Sequence, residues 1–522
     1  MPLPAAVSVS PVLPEIHCRP PEDFFIGFAA GKTSGKAPGK TPGNAPKKAA
    51  PRHLLLVIPP ADALPADLPA RAQWLAVLRR KDMQPGELAK TPLAIDLADG
   101  RRLALLMDDT ARTRFERLTQ LRQAAMLLLD ETPATLAIHA ADAETARDAL
   151  FAVLVNAVPL PTHKKKSPAR LTEIVLCSPL AQVDLAPIVA LARANGLCRQ
   201  LTASAPNVLT PASYRQRIRQ LAKAQGLQVE EYDFKRLKKM GAGAFCAVAQ
   251  GSQGYDERDD AAIVHLSYRP AGKAKGKKLR RVALVGKGIC FDTGGHNLKP
   301  ARYMAGMQKD MNGSAVALAL ILAAAEMHLP VALDCWLAIA QNHLSPAAYT
   351  QDEIVTALDG TTIEIAHTDA EGRMVLADAL TLATRDAPDL VVDFATLTGA
   401  MHVALGERYS GVFASSEELA ALAVAAGKAS GERLCAFPLD ADYAAALESK
   451  VADIKQCTLD GGADHILAAL FLQRFTHQRP WLHLDLASAR CAGGLGVAAS
   501  EMTGFGVAWG VRLLRDWLAM PR

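Results

Sequence analysis

The sequence predicts an α/β protein with two α/β domains, the C-terminal one built on a mixed, mainly parallel sheet flanked by helices. Three observations point there. The chain has 522 residues, long for one domain. Half of its residues are hydrophobic and 21% are charged, enough for a large core without staples. From residue 53 onward, short apolar runs alternate with helical patterns, the rhythm of strands covered on both faces.

Residues 1–52 read as a low-complexity, poorly structured basic tail. Within it, 31–48 is a degenerate repeat of Gly, Lys, Pro and small residues that buries too little apolar surface to offset chain entropy. Gly31-Lys32-Thr33 is not a phosphate loop, because Ile26 stands where the motif needs Gly and no strand precedes it. An N-terminal α/β domain follows over 53–175. Its strands are expected at 53–58, 103–107, 135–140 and 174–177. Helices are expected at 70–80 and 142–157, the second capped by Asp142. This domain shows no chemical constellation.

A C-terminal domain spans 185–522. Strands are expected at 227–232, 262–268, 281–285, 331–340, 361–366 and 390–395, and helices at 211–225, 314–327 and 375–385. A loop is expected at 341–350.

Composition excludes several classes. The net charge is +5, much of it in the runs 32–52, 163–166 and 273–281, which read as solvated loops. Nucleic acid is the alternative partner for these runs, but no RNA- or DNA-binding motif supports it. The nine cysteines form no CxxC pair, and their odd number suggests no disulfide framework, which favours a reducing compartment. The best apolar run, 315–325, is too short to span a membrane, and the N-terminus lacks a signal-peptide pattern. A cytoplasmic protein is expected, with no membrane partner.

Open α/β sheets bind ligands beyond the carboxyl ends of their strands. Lys287, Asp292, Lys299 and Asp310 follow the strand at 281–285, and Asp369, Glu371 and Arg373 follow the one at 361–366. Thr396 and Gly399 follow the one at 390–395. Four carboxylates cannot share a small site as bare anions, and hard divalent cations are their natural compensation. Two such ions about 3.5–4 Å apart can activate one water.

These residues stand in long, ordered signatures. Val285-Gly286-Lys287-Gly288, Phe291-Asp292-Thr293-Gly294-Gly295 and Leu298-Lys299-Pro300, then His367-Thr368-Asp369-Ala370-Glu371-Gly372-Arg373, resemble those of the leucine aminopeptidase (cytosol aminopeptidase) family. The likeness runs on through Ala395-Thr396-Leu397-Thr398-Gly399-Ala400, Trp481-Leu482-His483-Leu484-Asp485 and Thr503-Gly504-Phe505-Gly506-Val507, covering about 185–522.

The resemblance implies a metal-dependent aminopeptidase that removes Leu and other apolar N-terminal residues from peptides. It implies two divalent ions, Mn or Zn. Asp292 and Glu371 bridge them, Asp369 binds one, and Lys287 and Asp310 bind the other. It implies that one ion takes the free α-amine, that a metal-bridging hydroxide attacks, that Lys299 polarises the carbonyl, and that Arg373 holds a bicarbonate acting as general base. Met307, His367, Thr396 and Gly399 then face the substrate, and the protein assembles as a homohexamer.

The sequence departs from the family in two places. His367 replaces the usual Asn, and 341–348 reads Gln-Asn-His-Leu-Ser-Pro-Ala-Ala, with Pro346 stiffening the loop. Both bear on substrate choice and motivate a dipeptidase alternative, with Cys-Gly as an example. His296 lies in the same neighbourhood but is not counted as a ligand.

Overall fold

The computed structural model describes residues 10–19, 51–166, 169–254, 260–270 and 279–521. The Gly/Lys/Pro repeat, the Gly31-Lys32-Thr33 fragment and most of the first and third basic runs lie outside the described residues. The chain divides into two compact units.

One unit comprises Val12–Ala192 with Gly496–Ala499. Its strands are β1 (Glu15–Arg19), β2 (His53–Ile58), β3 (Leu93–Asp96), β4 (Arg102–Met107), β5 (Thr135–Ala140) and β6 (Glu173–Cys177). They form one sheet in the order β1-β6-β5-β2-β4-β3. All neighbours are parallel except β3, which runs antiparallel to β4. Its helices are α1 (Arg71–Arg80), α2 (Arg114–Leu129) and α3 (Ala143–Ala157). The Asp142 side chain accepts the backbone N–H groups of Glu144 and Thr145 and so caps α3. Leu54 and Leu56 belong to the core on one face of β2, Leu55 and Val57 to the core on the other. That explains why the strand reads as a continuous apolar run.

Strand β1 departs from the expectation of a structureless tail through residue 52. It pairs in parallel with β6, from Glu15 beside Glu173 to Arg19 beside Cys177. A five-residue edge strand with alternating exposure leaves little hydrophobic pattern to read.

The second unit comprises Met1–Pro11, Arg193–Leu495 and Ser500–Arg522, so the division falls inside helix α4 (Ala186–Thr202) rather than near residue 185. Its larger sheet has eight strands: β7 (Gln228–Asp233), β8 (Ala262–Tyr268), β9 (Arg281–Asp292), β10 (Ala332–Asn342), β13 (Leu390–Ala395), β14 (Ser410–Ala414), β15 (Leu434–Ala436) and β17 (Trp481–Asp485). Their order is β15-β14-β17-β13-β9-β10-β8-β7. The centre, β17-β13-β9-β10, is parallel. Strands β11 (Ile354–Thr356), β12 (Thr362–Glu364) and β16 (Ile454–Lys455) make a separate small sheet.

The helices of this unit after α4 are α5 (Pro211–Ala224), α6 (Phe234–Met240), α7 (Gly243–Ala249), α8 (Ala301–Met304), α9 (Asn312–Glu326), α10 (Glu371–Thr384), α11 (Gly399–Leu405), α12 (Glu417–Ser430), α13 (Asp464–Arg474) and α14 (Val507–Ala519). Helix α9 is buried from Asn312 to Ala325. It lies so close to the sheet that a Cβ on Gly313 would meet the Phe394 carbonyl oxygen at 2.1 Å.

Two expectations are corrected. Residues 361–366 do not end a strand of the main sheet, because β9 is flanked directly by β10 and β13, and only Thr362–Glu364 pairs, within the small sheet. The strand expected at 281–285 continues to Asp292, because β10 pairs with it past Ala340, where the register shifts at a bulge. Lys287 is therefore a strand residue.

Candidate metal centre

The carboxyl ends of β9 and β13 gather the polar residues that the signatures contain. Lys287 lies within β9 and Asp292 ends it, both buried. Asp310 belongs to the short 3-10 turn Met307–Met311 just before α9. Asp369 stands just before Ala370, the N-cap residue of α10, and Glu371 is that helix's first residue. Negative charge is favoured at a helix N-terminus by the exposed N–H groups and the dipole. Lys299 arrives from the loop after β9, whose turn is held by the Asp292 Oδ1 atom accepting Gly294 N–H at 2.9 Å.

The six charged groups meet. Lys287 Nζ lies 2.8 Å from Asp310 Oδ2 and 2.8 Å from Glu371 Oε1, and donates to the Thr396 carbonyl at 3.0 Å. Lys299 Nζ lies 2.9 Å from Asp292 Oδ2 and also pairs with Asp369 Oδ1. Oxygens of Asp292, Asp369 and Glu371 all fall within 4.8 Å of one another. Gly372 makes room for the cluster, since a Cβ there would stand 2.7 Å from Lys287 Nζ.

Burial pulls the Lys287 pKa down, but the carboxylates of Asp310, Glu371 and Asp292 outweigh it and hold it well above the ordinary lysine value. Burial opposes protonation of Lys299 too, and Asp292, Glu371 and Asp369 reverse the balance. Burial and the crowd of like charges push Asp310 and Asp369 up, against the pull of the lysines.

The donor set fits divalent cations. Glu371 Oε2 is buried and accepts no hydrogen bond, and Asp369 Oδ1 and Asp310 Oδ2 accept none of good geometry beside their lysine contacts. Oxygen acceptors short of donors in a buried site are what hard cations complete. Cations there would also stabilise the neutral, coordinating form of Lys287.

Amides that the sequence did not mark hold this arrangement. Asn342 Nδ2 donates to Asp292 Oδ1 at 2.9 Å and to the Thr368 carbonyl at 3.1 Å. Buried Gln456, just after β16, accepts His367 N–H, donates to the Ala370 carbonyl and offers its own carbonyl to Arg373 Nη1 at 2.9 Å. The segment 367–373 thus reaches the centre although no main-sheet strand leads into it. A lone Asn or Gln carries no periodic or charge signal, so only the fold reveals these roles.

The other expected residues fall as follows. Thr396 Oγ1 donates to Asp310 Oδ1 at 2.7 Å. Gly399 is exposed at the start of α11, with nothing within 4 Å of where its Cβ would be. Met307 is half-buried at the start of the 3-10 turn. His367 is half-buried, and its Nδ1 accepts Asp369 N–H at 3.2 Å, a place that an Asn side chain also fills in turns. Burial, and then the charge of Lys299, lower its pKa. His296 Nδ1 donates to the Tyr349 carbonyl.

Arg373 is buried, with Nη2 2.6 Å from Asp464 Oδ1. Its charge is already matched, so a bicarbonate does not fit beside it as a second anion.

No helix among the described residues is long and apolar enough to cross a membrane. Residues 196–511 match the catalytic-domain model of the cytosol aminopeptidase family. A probable cytosol aminopeptidase of Parasynechococcus marenigrum (strain WH8102) is 40% identical over 391 residues, 74% of this chain and 76% of that protein. One of Stutzerimonas stutzeri (strain A1501) is 43% identical over 339 residues, 63% of this chain and 66% of that protein. Among solved structures, the bottromycin maturation enzyme BotP in complex with Mn superposes with a TM-score of 0.77 at 31% identity, covering 90% of this chain and 100% of that one. The cytosol aminopeptidase of Coxiella burnetii gives 0.75 at 27%, covering 90% and 98%. A buried, cation-seeking carboxylate cluster on a sheet shared with these proteins, under a family model that spans more than half the chain, leads to one conclusion: the chain belongs to the cytosol aminopeptidase family and is a metallo-aminopeptidase.

Proposed function

We propose that the chain removes apolar N-terminal residues, Leu among them, from peptides at the centre formed by Lys287, Asp292, Asp310, Asp369 and Glu371. The observation that carries this reading is the convergence of four carboxylates and two lysines with a buried Glu371 oxygen that accepts nothing. These five residues would hold two divalent ions, Mn or Zn. Such ions supply Lewis-acid polarisation and lower the pKa of a shared water.

The chain's own groups complete the chemistry. Lys299, kept protonated by its carboxylate neighbours, donates to the oxygen that gains charge as the scissile carbonyl is attacked. A free α-amine would offer one of these ions a nitrogen lone pair, which an acylated nitrogen has delocalised into its carbonyl. Met307, Thr396 and the open space at Gly399 receive the first side chain. His367, fixed through Nδ1, borders the same space with a larger ring than the usual Asn.

The reading extends to a homohexamer in the cytoplasm, and seven buried cysteines suit a reducing compartment. Light scattering tests the assembly. A kinetic panel of Leu-, Met-, Arg- and Glu-p-nitroanilide with Cys-Gly tests the substrate. Highest kcat/KM on Leu or Met supports the reading, whereas activity confined to Cys-Gly makes the chain a dipeptidase.

A further inference from the structure

Arg373 sits two residues beyond Glu371 on α10, and its guanidinium is wholly enclosed. Nη1 donates to the Gln456 carbonyl at 2.9 Å and Nη2 to Asp464 Oδ1 at 2.6 Å, leaving Nε without a partner. The second bond is short, as charge-assisted pairs are. Asp464 is the first residue of α13, an eleven-residue helix whose N-terminus favours its negative charge as well. Ala463, just before it, is held in the left-handed region at φ 52, a conformation that is unfavourable for a non-glycine residue. The backbone is therefore bent at some cost at the residue that introduces this carboxylate.

One guanidinium carries one positive charge, and Asp464 already neutralises it. A bicarbonate would be a second anion on the same buried cation, near the Glu371 carboxylate, with Nε the donor left for it. We propose that Asp464 is the built-in anion of Arg373, so that this enzyme takes up no bicarbonate there and its peptidase activity does not depend on one. The proposal rests on the aminopeptidase reading only for its kinetic arm. Asp464 acts through Arg373 and is a positioning residue.

The test uses the metal-loaded full chain in carbonate-depleted buffer, with Leu-p-nitroanilide turnover measured before and after adding bicarbonate. Line broadening of 13C-bicarbonate is followed in parallel. The wild type should be indifferent to bicarbonate and leave the 13C line sharp. Asp464→Ala should lose roughly 10–100-fold in kcat, broaden the line, and regain most of the loss with bicarbonate or formate but not with chloride. A wild-type rate that rises several-fold with bicarbonate, or tight bicarbonate binding by the wild type, overturns the proposal. So does an Asp464→Ala protein that melts like the wild type but is rescued by neither anion, for Asp464 would then be a structural ion pair. Should Asp464→Ala fail to fold, the wild-type arm decides, and Asp464→Asn, which keeps a hydrogen-bond acceptor near Arg373 without the charge, replaces it in the rescue. If no protein cleaves any substrate, the aminopeptidase reading fails, while the 13C comparison still decides the anion question.

Discussion

Glu371 Oε2 is a buried oxygen that accepts no hydrogen bond, beside a lysine on one carboxylate edge and a second lysine–carboxylate pair across the site. Such an atom costs about 1–3 kcal/mol unless something binds it. In the proposed function, Lys287, Asp292, Asp310, Asp369 and Glu371 would hold the cations and Lys299 would handle the substrate. Lys299→Ala should keep its bound metal and lose about 10²–10³-fold in kcat, as removal of an oxyanion donor does elsewhere. Asp292→Ala should lose metal as well. Metal analysis beside turnover checks both, and full activity in both would refute the assignment. Gly372→Ala should weaken metal binding without replacing a ligand, because its Cβ would stand 2.7 Å from Lys287 Nζ; calorimetric titration with Mn reads the loss. Lys287, Asp292, Lys299, Asp310, Asp369 and Glu371 were marked in the sequence by their place in and beside ordered signatures, and the fold brings the six groups together, although Lys287 lies inside β9 and no main-sheet strand leads into 367–373. Asn342, Gln456 and Asp464 were not. The first two are neutral amides, and the third lies 91 residues from Arg373, the arginine it pairs with.

Among the elements, β2, β5, β8 and β13 were readable to the residue, since each is a continuous or alternating apolar stretch. Edge and short strands were not. Strand β1 exposes every second residue, and β12 keeps three residues of a longer apolar-looking segment. The tight seating of α9 on the sheet depends on a missing side chain. Gly313→Ala should destabilise the fold by about 1–3 kcal/mol or more, because the added methyl meets the Phe394 carbonyl and backbone must move. Gly399→Ala adds the same methyl where nothing lies within 4 Å and should leave the melting temperature unchanged. Equal melting temperatures for the two variants would show that α9 packs more loosely than the geometry indicates.

For the whole molecule, two carboxylates outside the centre, buried Asp378 and half-buried Glu432, link stability to pH. Burial pushes Glu432 up to about 7 from its ordinary 4.5, although the backbone N–H groups of Trp509 and Gly506 pull against it. Asp378 is raised to about 7 for the same first reason. The folded state holds these protons more tightly than the unfolded chain. Their stabilisation is full below the ordinary carboxylate pKa and is lost as pH rises through about 7. The melting temperature of chelator-treated protein should fall between about pH 5 and 8, and Glu432→Gln should flatten that slope. The division into units was legible only coarsely, because the boundary lies inside helix α4, where composition does not change. The central claim is a metal centre that acts on peptides with a free N-terminus. The most direct measurement compares release of the first residue from a free peptide and its N-acetylated twin, with Mn or Zn and again with chelator. Cleavage of the free peptide alone, abolished by chelator and restored by metal, is the predicted result. Equal cleavage of both peptides, or cleavage that persists in chelator, would contradict it.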